Sequence, residues 1–436
     1  MKNLINKYQD YILIAFFFLL IIFGRPFVGL YVFGTRLGEL LVAFSFIAFF
    51  YFIIKKNSFP EKFKNLFTVL VLIFLSFLLS NIFDDGFYFS EYLFKSSSYI
   101  WTVSFLFLGY IYKIKNQYLP YILSASLFVL YIFNTVFYPK IFIDLLTNNA
   151  DKFELTKASN MLIVVIFVNV INYFIVENIK FINYFFIFST SFYLPLLLFN
   201  SRGSFLSLAM FIILFLIYKK DLYLESLRST LIFLTIFTLS FVVSTYNIFG
   251  ELDFSKRAQK ESIEISSVSD NLNKLVDNKN TINVFFSFYV YDGRLYSRDG
   301  TTDWRLDIWQ DVVEDLNKRD KILLGYGYSS IIPVMVDPEA PGRLGEDGLN
   351  ENVHNYAVTI LSRGGLIQLL LFIYFHYKIF IIYRENHKNN FFLVLIIPAF
   401  FNAFLDVAME SVQFPIMYYT LAGFLLSSKE YLNNKL

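Results

Sequence analysis

Runs of apolar residues separated by short polar connections recur from one end of this chain to the other. A helix rising 1.5 Å per residue needs about 20 residues to cross the roughly 30 Å of hydrocarbon in a bilayer. The pattern predicts about twelve such helices, opening with Tyr11–Phe23, Leu37–Ile54, Leu66–Phe83, Tyr99–Tyr112, Tyr118–Phe133 and Met161–Val176. They continue with Phe181–Phe199, Ser204–Tyr218, Leu231–Tyr246, Leu366–Ile382, Phe391–Leu405 and Phe414–Leu426. The first and fourth are short and are expected to extend into neighbouring aromatic residues. One long polar run, from Tyr246 to Asn355, interrupts the series between the ninth and tenth helices. The expected fold is an all-α integral membrane protein in three parts. Helices 1–9 occupy residues 1–246, a long and partly helical external loop residues 247–355, and helices 10–12 residues 356–436.

Inside the loop, Phe254–Asn280 is charged and amide-rich, and its spaced apolar residues predict a surface helix or two. Thr281–Tyr291 is either β-prone or an aromatic interfacial strip. Asp303 is the expected N-cap of an amphipathic helix. In Trp304–Leu316, the residues Leu306, Trp309, Val312, Val313 and Leu316 recur at helical spacing. Gly325-Tyr326-Gly327 reads as a turn, and the Pro/Gly-rich stretch Ile331–Asn350 as a loop. A smaller connection, Asn134–Asn160, could hold a short interfacial helix at Ile141–Leu146.

Composition strengthens the membrane reading. With 56% hydrophobic and 17% charged residues and a mean hydropathy of +0.54, the chain lacks the balance of a soluble globular protein. A net charge of +2 is too small to imply a nucleic-acid partner. Without cysteine there are no disulfides, thiolate metal sites or cysteine nucleophiles. The first residues resemble a signal sequence, but Gly24-Arg25-Pro26 stands where a small-residue cleavage site would lie, so a retained first helix is expected.

Lysine and arginine fall after the even-numbered helices: Lys55, Lys56, Lys62 and Lys64, then Lys113 and Lys115, Lys180, Lys219, Lys220 and Arg228, and Arg384 and Lys388. Lys2, Lys7, Lys429 and Lys435 mark the two ends. Alternate connections such as Asp84-Asp85-Gly86 are poorer in basic residues. The positive-inside rule then puts both termini in the cytoplasm and the long loop outside. No internal repeat is visible, which opposes an inverted-repeat transporter.

The residues able to carry chemistry sit at the rim. Arg202, in Asn200-Ser201-Arg202-Gly203, opens the eighth helix, whose free N–H groups and positive dipole end favour an anion. Its planar fork suits phosphate oxygens, although snorkelling to lipid headgroups would also place an arginine there. Arg305, between Trp304 and Trp309, lies in a first helical turn where a cation opposes the dipole unless an anion is bound. A solvated surface arginine is the plainer account. Arg343 and Arg363 are further basic candidates, and Arg294 and Arg298 weaker ones.

His354 is the one histidine expected outside; an imidazole there could take a proton from a sugar hydroxyl, or merely cap a helix. His376 is expected deep in the tenth helix and His387 on the cytoplasmic side. Asp406 is expected to close the eleventh helix, where an acid is costly unless paired or facing a cavity. It could orient His354 or neutralise an arginine, while Glu410, one turn on, could be in water. The chain has no H-E-x-x-H, P-loop or G-x-S-x-G element, and one external histidine without cysteine makes no usual zinc site.

Leu198-Phe199-Asn200-Ser201-Arg202-Gly203-Ser204, Trp304-Arg305-Leu306-Asp307-Ile308-Trp309, Leu324-Gly325-Tyr326-Gly327, and His354-Asn355 followed by Leu361 and Gly364-Gly365-Leu366 together resemble the bacterial O-antigen ligase and polymerase superfamily. About twelve helices with one long external loop before the last three is similar to that family's layout, and GT-C-like. The resemblance implies a donor glycan on undecaprenyl diphosphate, transferred without a metal, cofactor or nucleotide sugar. It implies a glycan or lipid A-core acceptor and a multi-pass protein of the bacterial inner membrane with its loop periplasmic. Arg202 and Arg305 look like pyrophosphate-binding arginines, His354 like the catalytic histidine, and Asp406 is similar to an acidic position of the ligases. Ligase and polymerase differ in acceptor, and a lipid-linked oligosaccharide flippase is a reading from another class.

Overall fold

The computed structural model describes residues 2–54, 59, 61–83, 91–112, 118–151, 153–223, 226–250 and 288–428. The expected helices in Phe254–Asn280, the basic positions Lys55, Lys56, Lys113, Lys115, Lys429 and Lys435, and Asp84-Asp85-Gly86 lie outside the described residues. Helices α1 (Lys2–Val28), α2 (Leu37–Ile54) and α3 (Phe63–Ile82) are followed by α4 (Glu91–Ser96), α5 (Ser98–Trp101) and α6 (Ser104–Ile111). Next come α7 (Leu119–Thr135), α8 (Lys140–Asn149), α9 (Ala158–Ile175) and α10 (Ile179–Asn200). Then follow α11 (Arg202–Tyr218), α12 (Lys220–Tyr223) and α13 (Leu227–Phe249). Within the polar run lies α14 (Gly300–Lys318), and beyond it α15 (Tyr356–His387), α16 (Leu393–Ala403) and α17 (Gln413–Ser427).

All twelve predicted apolar stretches fall on these helices, but their lengths differ from expectation. Among the described residues seven helices are long and apolar enough to span a membrane, or eight if α7 and α8, bent by 90°, form one span. The stretch at Tyr99–Tyr112 is broken between α5 and α6, and α11 and α16 are apolar but short. Twelve crossings therefore require several short helices to cross as well.

Packing explains the uniform greasiness of α9, which is buried from Ala158 to Asn172 and so has no polar face to offer. Its amides hold neighbouring helices: Asn169 Nδ2 donates to Ser189 Oγ at 3.1 Å and Asn172 Nδ2 to Ser124 Oγ at 2.9 Å. Small residues let α6 and α17 cross backbone to backbone. A Cβ on Gly109 would strike the main chain of Thr420, and one on Gly423 that of Leu106.

The described part of the polar run, from residue 288 onward, folds as a lobe on one end of the bundle. Phe288–Tyr291 (β3) pairs antiparallel with Arg294–Ser297 (β4), the second hairpin after Tyr31–Val32 (β1) and Thr35–Arg36 (β2). Asp292 and Gly293, at φ 49° and 74°, make the two-residue turn that Asp-Gly favours. Helix α14 starts earlier than expected. Asp299, not Asp303, is its N-cap, accepting from the Thr302 amide at 3.1 Å, while Asp303 accepts from the Ser297 amide at 2.7 Å. Ile308, Val312 and Leu316 face a small core with Tyr326, Ile332, Met335, Leu344 and Val353. Val313, expected on that face, is exposed, because Ile308 rather than Trp309 sets the buried stripe.

The Gly325–Gly327 turn docks on α15. Tyr326 N donates to Ser362 O at 2.7 Å, Gly327 N to Arg363 O at 3.0 Å and Leu366 N to Ile322 O at 2.9 Å. The last two need main-chain contact, and glycine permits it: Gly325 and Gly365 lie at φ 73° and 70°, each against the other segment's backbone. The tenth helix thus begins ten residues before the expected Leu366, at Tyr356, and is interrupted at Gly365.

Candidate functional site

The starts of two helices meet at the bundle's lobe end. Ser201, extended at φ −160°, ends α10 and caps α11 by accepting from the Ser204 amide at 3.4 Å. Arg202 is therefore the first residue of α11, and its Nη1 donates to Asp299 Oδ1 at 3.1 Å. Asp299 also accepts from Thr302 Oγ1 at 2.7 Å. Burial works against its charge, but the Thr302 hydrogen bonds and Arg202 outweigh it and hold the carboxyl below its ordinary value.

Arg305, in the second turn of α14, donates from Nη1 to Leu405 O at 2.5 Å. The Leu405 side chain in turn lies against Gly203, where a Cβ would be 3.2 Å away, so Arg202-Gly203, Arg305 and Leu405-Asp406 share one neighbourhood. Burial lowers the Arg305 pKa, opposed by the charges of Asp406 and Asp299, and a guanidinium remains protonated throughout. Its Nε is buried and meets no hydrogen-bond partner among the described residues.

His354 sits in the left-handed region at φ 55°, a strained conformation for a residue with a side chain. The Trp304 ring meets it edge-on at 5.3 Å, and Trp309 Nε1 donates to the Val353 carbonyl at 2.7 Å. Burial, then the charges of Arg305 and Lys157, depress its pKa to about 4 against the pull of Asp406. At neutral pH the ring is uncharged, the form able to accept a proton, and its buried Nδ1 has no partner among the described residues. Asn355 follows as N-cap of α15, accepting from the amides of Ala357 at 3.0 Å and Val358 at 3.2 Å.

Asp406 lies three residues past the end of α16 rather than closing it, and its Oδ1 accepts from the Val407 amide at 2.8 Å. Glu410, for which water was one reading, has a buried carboxyl. Its Oε1 accepts from Thr359 Oγ1 at 2.9 Å, Oε2 has no partner among the described residues, and burial pushes its pKa up to about 7.

Arg202, Arg305, His354 and Asp406 are thus brought together, whereas two other candidates are engaged elsewhere. Arg343 bonds Asp307 and Asp311, each at 2.5 Å, beside Arg294, which reaches Asp311 at 2.7 Å. Arg363, 2% exposed, donates to the carbonyls of Gly327 and Ser330 and to the Tyr92 hydroxyl, clamping the docked turn. His376 is buried between Phe372 O, at 2.8 Å, and Tyr419. Sequence reasoning missed Asp299, which was hidden by the later Asp303.

Helices long and apolar enough to span a bilayer, with arginines, a histidine and carboxyls gathered under a lobe at one end, define a multi-pass membrane protein with a polar site at its rim. Residues 185–373 match the family model described as O-antigen ligase, which bears out the resemblance to the O-antigen ligase and polymerase superfamily. The match supports a membrane enzyme of that type. It includes Arg202, Arg305, Arg343, His354 and Arg363 and ends before Asp406. None of the curated proteins matches the chain.

Proposed function

We propose that this chain is an O-antigen ligase-like glycosyltransferase, moving a glycan from undecaprenyl diphosphate to an acceptor hydroxyl at the outer face of the bacterial inner membrane. The observation that carries the reading is the meeting of an uncharged, buried imidazole with two arginines from separate helix starts. His354 takes the acceptor's proton as its oxygen bonds to the anomeric carbon, and the carbon–oxygen bond to the diphosphate breaks. Arg202 and Arg305 hold the departing diphosphate, whose added negative charge strengthens their contacts in the transition state. The anion also offsets the arginine charge that depresses His354, so donor binding raises the basicity of the ring. The Asp406 charge favours the imidazolium that forms when His354 takes the proton. In this reading twelve helices cross the bilayer, both termini are cytoplasmic, and the loop over residues 247–355 is periplasmic, as the Lys and Arg pattern favours.

The test is transfer from undecaprenyl-diphosphate glycan by the reconstituted chain. His354→Ala should lower kcat by about 10²- to 10⁴-fold with donor binding retained. Arg305→Ala should lower kcat/KM about a hundredfold or more. Near wild-type turnover in His354→Ala would end the base assignment. The same assay separates acceptors: a ladder of lengthening lipid-linked chains means polymerase, and glycan moved to a different acceptor means ligase.

A further inference from the structure

Glu410 is tied to the start of α15 through a hydroxyl that has one hydrogen and two neighbours to serve. In the first turn of that helix, Thr359 Oγ1 stands 2.9 Å from Glu410 Oε1 and 2.9 Å from the Asn355 carbonyl oxygen. The carbonyl can only accept, and the hydroxyl can donate once. Both contacts are hydrogen bonds together only when Thr359 donates to Asn355 and the carboxyl, carrying its proton, donates to Thr359. With Glu410 ionised the direction reverses. Thr359 then gives its hydrogen to the carboxylate, and the Asn355 carbonyl keeps only the Thr359 amide, at 2.8 Å. Glu410 Oε2 is buried without a partner among the described residues, a costly place for negative charge. The loop itself is fixed, since Ser98 Oγ of α5 donates to the Glu410 carbonyl at 2.8 Å.

We propose that Glu410 is a positioning residue of the transfer reaction that works as the neutral acid. Its hydroxyl donates to Thr359 and Thr359 donates to the Asn355 carbonyl, which holds the start of α15 directly behind His354. The inference rests on the base role given to His354 above. Asn355 is the pivot. Its side chain caps α15 through the Ala357 and Val358 amides, its main chain follows the left-handed His354, and its carbonyl takes the Thr359 hydrogen. When Glu410 ionises, that last bond is withdrawn and a second negative charge joins Asp406 on the loop. The imidazole is then held less firmly, and transfer slows. The titratable groups facing Glu410 are Asp406 from its own loop and Tyr356 from α15, neither of them a cation. Burial keeps the carboxyl protonated up to about 7, against the pull of nearby main-chain N–H groups and of Thr359.

The test is the pH profile of kcat/KM, which reports groups of the free enzyme, for full-length chain in vesicles acting on undecaprenyl-diphosphate glycan. The wild type should lose activity as pH rises through about 7, where Glu410 gives up its proton. Glu410→Gln, whose amide donates at every pH, should keep most of the plateau and lose that alkaline limb. Glu410→Ala should lower the plateau roughly tenfold, the worth of one hydrogen bond, and also lose the limb. Thr359→Val should behave as Glu410→Ala does, whereas Thr359→Ser, which keeps the hydroxyl, should keep both plateau and limb. A purely structural role would lower the unfolding temperature without moving the limb. The Thr359 pair carries the same test if the Gln variant does not fold. A wild-type rate flat through that region, or a limb that stays in Glu410→Gln and in Thr359→Val, overturns the proposal. With His354→Ala inactive, that result leaves the base reading intact. An active His354→Ala removes the base reading, and the proposal with it.

Discussion

At His354 the backbone turns left-handed, and the side chain meets the ring of Trp304. Such a conformation costs on the order of 1–3 kcal/mol and is held by the Trp309 bond to Val353 and the Asn355 cap on either side. Residue type and place along the chain were enough to single out Arg202, Arg305, His354 and Asp406. The Asp299 partner of Arg202 was not legible, because it acts across a gap of 97 residues that no local pattern encodes. Glu410 carries a testable consequence. In the fold it keeps its proton up to about 7, whereas an unfolded glutamate gives it up near 4.5. The native state therefore binds the extra proton in that window, and its stability falls as pH rises from 4.5 towards 7. Glu410→Gln should flatten this slope in thermal unfolding of the detergent-solubilised protein; an unchanged slope would remove Glu410 as its source.

Among elements, α14 gathers the most. It lays Ile308, Val312 and Leu316 on the lobe core, sends Arg305 to Leu405, and begins at a carboxylate that also holds Arg202. Asp299→Ala should lower stability by about 1 kcal/mol through loss of the cap, read as a lower unfolding temperature. Asp299→Asn keeps a capping oxygen and should recover most of that loss while still releasing Arg202 from its ion pair. The amphipathic helix and the Asp-Gly hairpin could be read from spacing and turn chemistry. The helix start could not, since Asp299 and Asp303 are equally good caps until β4 shows that Asp303 is needed to hold Ser297. The paired glycines were visible as motifs, but their reason lies in contact between segments forty residues apart. Gly365→Ala would force a side chain into φ 70° and against Leu323, and should cost more than about 1 kcal/mol and loosen the lobe to limited proteolysis.

For the molecule as a whole, hydropathy gave the helices and their order, while span length gave a different count from the described helices that suffice alone. The break between α5 and α6 and the shortness of α11 and α16 are where the two counts part. The absence of cysteine makes sidedness directly measurable. A cysteine replacing exposed Glu346 in the lobe should react with a membrane-impermeant maleimide in intact spheroplasts. One replacing Glu385, near the far end of α15, should react only after permeabilisation; the reverse pattern would invert the topology.

The seam between Gly325 and Gly365 is made of main-chain atoms, which most amino-acid replacements leave in place. A lobe fastened that way can change its outward side chains generation after generation without coming loose from its seat. Diversification of the sugars such a protein accepts would then be expected along the rim, in residues such as those of the β3–β4 hairpin, while the fastening itself stays silent.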